Sequence, residues 1–161
     1  MLNQLMLAMC EFDRGVPHRI QHFTKVHAYC RIIGQEEGLS PRQMEILEAA
    51  AYTHDIGVKP AMEKFGSAAG SLQEQEGPAC ARKMLEGLGF DGDLIERVCW
   101  LIAHHHTYQP VEGIDHRILI EADFLVNLFE GNASREAIET AYRQMFETGT
   151  GKRLMREMFD L

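Results

Sequence analysis

The chain has 161 residues, of which 45% are hydrophobic, 25% charged and 8% aromatic. That length suits one domain able to bury roughly two thirds of its surface, and the composition excludes a disordered chain, a collagen-like repeat and a disulfide-stapled miniprotein. Sixteen Lys and Arg against twenty-four Asp and Glu leave a formal charge of −8, which argues against a general binder of nucleic-acid polymers or membrane surfaces but leaves room for a small phosphorylated substrate held locally.

Helical periodicity dominates. The N-terminal MLNQLMLAMC is apolar, but Asn3 and Gln4 occupy the place of a basic signal-peptide region and no small-residue cleavage pattern follows. No apolar run approaches the roughly eighteen residues of a membrane span, so a cytoplasmic protein is expected. From Pro17, the residues Ile20, Phe23, Val26, Cys30 and Ile33 recur at helical steps up to Gly34 or Gly38. Ser40-Pro41-Arg42-Gln43 reads as a capping box with proline at the first helical position. The helix behind it carries Met44, Leu47, Ala51 and His54 on one side and is expected to close at Gly57 and Pro60.

Residues 58–70 combine small residues with Lys59 and Lys64 and read as a flexible connector, or as a loop presenting N–H groups to a phosphate. Ser71-Leu72-Gln73-Glu74 reads as a second capping box, opening a helix that must tolerate Gly77-Pro78 and stops at Gly87 or Gly89. The Asp91 to Asp93 region caps a helix with Leu94, Val98, Leu101 and His105 on one face. Residues 114–130 place Ile118, Ala122, Leu125 and Phe129 on one stripe. Ser134 starts a further helix toward Gly149, and Thr150 is expected to cap a short terminal one. The prediction is an all-α domain of six to eight helices over 1–161, with a core over about 17–130 and C-terminal helices over 134–161. Cys10, Cys30, Cys80 and Cys99 include no C-x-x-C pair and are expected to be reduced core thiols.

Several polar residues interrupt apolar surfaces. His22 sits among Val26, Tyr29 and Ile33, His54-Asp55 follows Ala49-Ala50-Ala51-Tyr52, and Asp123 is flanked by Leu119, Ile120 and Val126. A buried carboxylate needs a partner, a raised pKa or a metal. Imidazole with carboxylate suits first-row divalent ions such as iron, manganese, nickel or zinc. His104-His105-His106 is a triplet expected by chance only about 0.02 times at this composition. Consecutive helical residues point about 100° apart, so His105, continuing the Leu94 stripe, is the best inward candidate, followed by His104.

The joint pattern resembles the HD-domain superfamily, through HFTKVHAYC around His22, AAAYTHDIG around His54-Asp55 and LIEADFLVNL around Asp123. Similarity to its small bacterial members extends through KFGSAAGSLQEQEGPACARKML, VCWLIAHHH and TGTGKRLMREMF. The resemblance implies metal-dependent phosphohydrolase activity on nucleotides or other small phosphate esters, with His22, His54, Asp55 and Asp123 as metal ligands. On that basis one divalent ion is expected in preference to two: iron, manganese or nickel first, zinc or magnesium as alternatives. Asp55 would also orient the attacking water, His104 and His105 would assist catalysis, and Lys59, Lys64, Gln73 and Glu76 would contact substrate. The same superfamily contains dinuclear-iron oxygenases, but their pattern has an extra histidine after the His-Asp pair, and none occurs here between His54 and His104. A non-catalytic metal- or nucleotide-binding regulator is the third reading, against which all four ligand positions are filled. Oligomeric state is not legible.

Overall fold

Side-chain capping sets the starts of four of the nine helices. In the computed structural model, which describes residues 1–161, Ser40 caps α3 (Pro41–Thr53) through the full reciprocal box with Gln43, Asp91 caps α6 (Gly92–His104), and Ser134 caps α8 (Arg135–Met145). The other elements are α1 (Leu2–Phe12), α2 (Pro17–Glu36), α4 (Val58–Phe65), α5 (Gly70–Gly87), α7 (Ile114–Glu130) and α9 (Gly149–Phe159). The protein is all-α, as expected. Its nine helices include two that the sequence patterns did not place, α1 and α4.

The differences have local causes. Pro60 does not end a helix; it occupies the third position of α4, where its missing N–H has no intrahelical acceptor to lose. The expected connector is therefore half helical, and it stops at Gly66, whose φ of +65° suits glycine. Ser71 caps nothing: α5 starts at Gly70, which puts Ser71 inside its first turn, and the N-cap is Ala69, whose methyl group offers no acceptor; Gln73 turns its amide onto Ala68 O. At the C-terminal end Thr148, not Thr150, caps α9. There the buried Glu121 carboxylate accepts the N–H groups of Glu147 and Thr148, which draws the chain out of α8 at Met145, short of Gly149.

The triple alanine of α3 explains the packing. Ala49, Ala50 and Ala51 are fully buried, and their small side chains let α3 pack against α1, α2, α6 and α7. The core is Phe23, Val26, Cys30 and Ile33 of α2, Leu47 of α3, Leu94, Val98 and Leu101 of α6, and Ile118, Ala122 and Leu125 of α7. Phe129, expected on that last stripe, is 67% exposed instead, with Lys25 Nζ 5.7 Å from its ring centre. Helices α8 and α9 pack on α7. The four cysteines are free thiols, and no helix is long and apolar enough to cross a membrane.

Candidate metal centre

The central helix ends at Thr53, and the turn after it delivers His54 and Asp55 between α2, α6 and α7. His54 is fully buried, and its Nδ1–H donates to Ala51 O at 2.8 Å. His105, in the corresponding place after α6, donates its Nδ1–H to Ile102 O at 2.7 Å. Both rings are held at helix ends, where carbonyls lack intrahelical partners, and both present Nε2 inward. His22 and Asp123 come from the middles of α2 and α7, and are 5% and 4% exposed.

Four donor atoms converge. His22 Nε2 lies 3.2 Å from His54 Nε2, 3.2 Å from Asp123 Oδ1 and 3.3 Å from Asp55 Oδ2. His54 Nε2 lies 3.4 Å from Asp55 Oδ2 and 3.5 Å from Asp123 Oδ1. An ion with ligands at about 2.0–2.2 Å holds those ligands about 3–3.5 Å apart, so this spacing fits a divalent metal. Two imidazoles and two carboxylates, with each imidazole's outer nitrogen already hydrogen-bonded, form a donor set suited to such an ion.

A second group adjoins the first: Asp55, His105 and His106 also lie close enough to share an ion. Asp55 Oδ1 faces His105 Nε2 at 3.4 Å, and that nitrogen is buried without a hydrogen-bond partner. Asp55 thus serves both groups, one oxygen to each.

Charge is balanced within the cluster. Burial alone would lower the basicity of His54, but the Asp55 and Asp123 carboxylates outweigh it and push its pKa up to about 9. Burial also opposes ionisation of Asp55 and Asp123, yet the histidines hold both carboxyls well below the usual range. His22 moves up despite burial, through Asp123.

A cleft of about 330 Å³ opens onto the cluster, lined by His18, Arg19, His22, Asp55, Gln73 and Asn127 among others. Arg19 is tethered only by its Nε, which donates to the buried Asp13 at 3.0 Å. A larger cavity of about 680 Å³, beside Arg117 and Thr148, contains none of the cluster residues.

Not every expected site residue is here. His104 stacks on Trp100 at 4.1 Å and donates its Nδ1–H to Trp100 O, which turns it away from the cluster. Lys59 donates to Phe12 O and lies over that ring; Lys64 and Glu76 pair with each other. Of the expected substrate contacts only Gln73 reaches the cleft, where its amide oxygen accepts from His106 Nε2 at 3.1 Å. Arg19, His106, Asn127 and Glu130 were not singled out as site residues. Helical spacing could have flagged Arg19 three positions before His22, and Asn127 and Glu130 four and seven positions after Asp123.

Comparisons agree with this picture. The HD-domain family model matches residues 19–151. The crystal structure of a predicted HD superfamily hydrolase from an uncultured Thermotogales bacterium superposes with a TM-score of 0.70 at 22% identity, over 98% of this chain and 84% of that one; at that identity the likeness concerns the fold. A sequence comparison with curated proteins gives no match.

Proposed function

Because the chain belongs to the HD-domain family, we propose that it is a metal-dependent phosphohydrolase of a small phosphorylated compound, with His22, His54, Asp55 and Asp123 holding one divalent ion. The observation that carries this reading is the convergence of four donor atoms at 3.2–3.5 Å from two helices and a turn. Iron, manganese or nickel suits the mixed imidazole and carboxylate set best, with zinc or magnesium as alternatives. When bound, the ion would supply a Lewis acid for a phosphoryl oxygen and lower the pKa of a water.

The protein's own groups account for the rest. Asp55 turns Oδ2 toward His22 and His54 and Oδ1 toward His105, so its second oxygen can orient a water for in-line attack. His105, with Nδ1–H committed to Ile102 O, offers a bare Nε2 as acceptor for that water's proton. Arg19 has both Nη groups free of protein partners, and a guanidinium fork suits a phosphate. It takes over the role expected of Lys59 and Lys64. Without the ion and Arg19, the carboxylates here would repel a phosphate ester.

Elemental analysis should find metal in the protein as purified, absent from Asp55→Ala. Phosphate release from a panel of nucleotides and sugar phosphates should require Mn²⁺, Fe²⁺, Ni²⁺, Zn²⁺ or Mg²⁺ and proceed equally under anaerobic conditions. An absolute need for dioxygen would favour the dinuclear-iron oxygenase, and metal retention without turnover of any substrate would favour a regulatory binding protein. One observation supports a two-ion variant of the same reading, the second donor group of Asp55, His105 and His106; a stoichiometry of two ions per chain would establish it.

A further inference from the structure

On the metal-centre reading above, the three inward histidines are not held alike. His54 and His105 follow the last residues of their helices, so a free carbonyl three positions back takes each Nδ1–H. His22 lies inside α2, where the neighbouring carbonyls are used by helix hydrogen bonds. Its Nδ1–H instead donates to Glu130 Oε2 at 3.0 Å, from a residue 108 positions away.

Glu130 sits where a carboxylate is unfavourable. It is the last residue of α7, at the negative end of the helix dipole; its side chain is 11% exposed and shares the site with Asp55 and Asp123. Burying a carboxylate there costs free energy unless specific partners offset it. Lys25 Nζ lies 2.7 Å from Oε1, and His18 Nε2 lies 3.6 Å from Oε2. One face of α7 thus carries Asp123, Asn127 and Glu130, with Asn127 Nδ2 donating to Asp123 Oδ1 at 2.9 Å.

We infer that Glu130 is the positioning residue of the centre: it fixes the ring orientation and tautomer of His22, so that Nε2 is the nitrogen offered to a metal. Lys25 in turn holds Glu130. Without this contact the His22 ring can turn about its Cβ–Cγ bond and present a carbon or the wrong nitrogen. Outer partners of metal-binding histidines act in this way, and their loss weakens metal affinity about ten- to a hundredfold.

The test uses Co²⁺ alone, titrated into metal-free wild type, Glu130→Ala, Glu130→Gln and His22→Ala, with the visible absorption of the bound ion as readout. Glu130→Ala should weaken binding by about ten- to a hundredfold. Glu130→Gln, whose amide oxygen still accepts the Nδ1–H, should recover most of it, which a loss of bulk structure would not allow. A second measurement needs no variant to fold: nitrogen-15 spectra of the Zn²⁺-loaded wild type should show His22 protonated and slowly exchanging at Nδ1. Wild-type affinity in Glu130→Ala alongside weakened affinity in His22→Ala would overturn the positioning role and leave the metal centre standing. Undiminished binding in His22→Ala would overturn the metal-centre reading and this inference with it. A His22 that binds through Nδ1 would overturn the inference alone.

Discussion

Three adjacent histidines after Ala103 are dealt to three different surroundings. His104 packs on Trp100 and accepts the His116 Nε2–H at its carbonyl. His105 enters the cluster. His106 reaches it as well, because the helix ends at His104 and the turn is pinned by Glu74 Oε1, which accepts from His106 N and from Thr107 Oγ1. Extending the Leu94 stripe finds His105 but ranks His104 above His106, since it assumes that the helix continues. His105→Ala and His106→Ala are therefore expected to lower kcat/KM at least tenfold, in line with about 1.5–3 kcal/mol for a hydrogen bond to a charged group. His104→Ala should leave kcat/KM within a few-fold of wild type and cost about 0.5–1.5 kcal/mol of stability through lost stacking. Steady-state kinetics with denaturant unfolding separates the two, and a His104 variant as inactive as His105→Ala would refute the assignment.

At the scale of elements, two glycines decide how closely the helices behind Asp55 approach. A Cβ on Gly57 would overlap the Gln73 carbonyl oxygen and lie 2.9 Å from Gly77 N, and one on Gly77 would lie 2.6 Å from Ile102 Cγ2. The turn bearing His54-Asp55 thus meets α5 backbone to backbone, and α5 in turn seats the Ile102 side chain of α6 against Gly77, so these two glycines bear on the distance from Asp55 to His105. Gly57→Ala should destabilise the fold by about 1–3 kcal/mol, as overpacking does, and weaken metal binding by moving Asp55. Gly87→Ala is the control: nothing lies within 4 Å of its Cβ position, and the change should be neutral or slightly stabilising. Urea unfolding of both variants checks this, and equal stability would show that α5 can retreat without penalty.

For the molecule as a whole, metal binding, protonation and stability are one linked equilibrium. In the metal-free protein the neighbouring carboxylates raise His54 to about 9 against the effect of burial, above its unfolded value of about 6.5. That ion pairing contributes stability fully below about pH 6.5, and the contribution is lost as pH rises through about 9. A metal needs the neutral imidazole, so binding releases the proton and tightens as pH rises. Mn²⁺ at about a hundred times its Kd should add about 2.7 kcal/mol, or about 5–11 °C in Tm at this chain length. At one fixed Mn²⁺ concentration the gain should be larger at pH 8.5 than at pH 6.5 and be reversed by a chelator. Scanning calorimetry reads it, and a gain independent of pH would rule out proton release from His54.

What was legible in the sequence was local or periodic. The helical class follows from apolar spacing, the starts of α3, α6 and α8 from capping side chains, and the three clusters of polar residues from their intrusion on apolar faces. The membership of His22, His54, Asp55 and Asp123 in one pattern was legible only as a family resemblance, because their meeting point depends on three segments distant in the chain. Errors arose where a residue's role depended on what packs against it. Pro60 can close one helix or open the next, Ser71 can cap only if its hydroxyl faces the free N–H groups, and Lys59 points wherever Phe12 and its carbonyl draw it. Glu130 carries no periodic signal for the contact it makes with His22, which exists only because α2 packs beside α7. Apolar spacing and capping signals thus place every helix but α1 and α4, and they mark the side chains that could not be left bare in a core. Which of those side chains meet is written nowhere in that pattern, since contact between residues more than a hundred positions apart is set by helix packing and leaves no period in the chain.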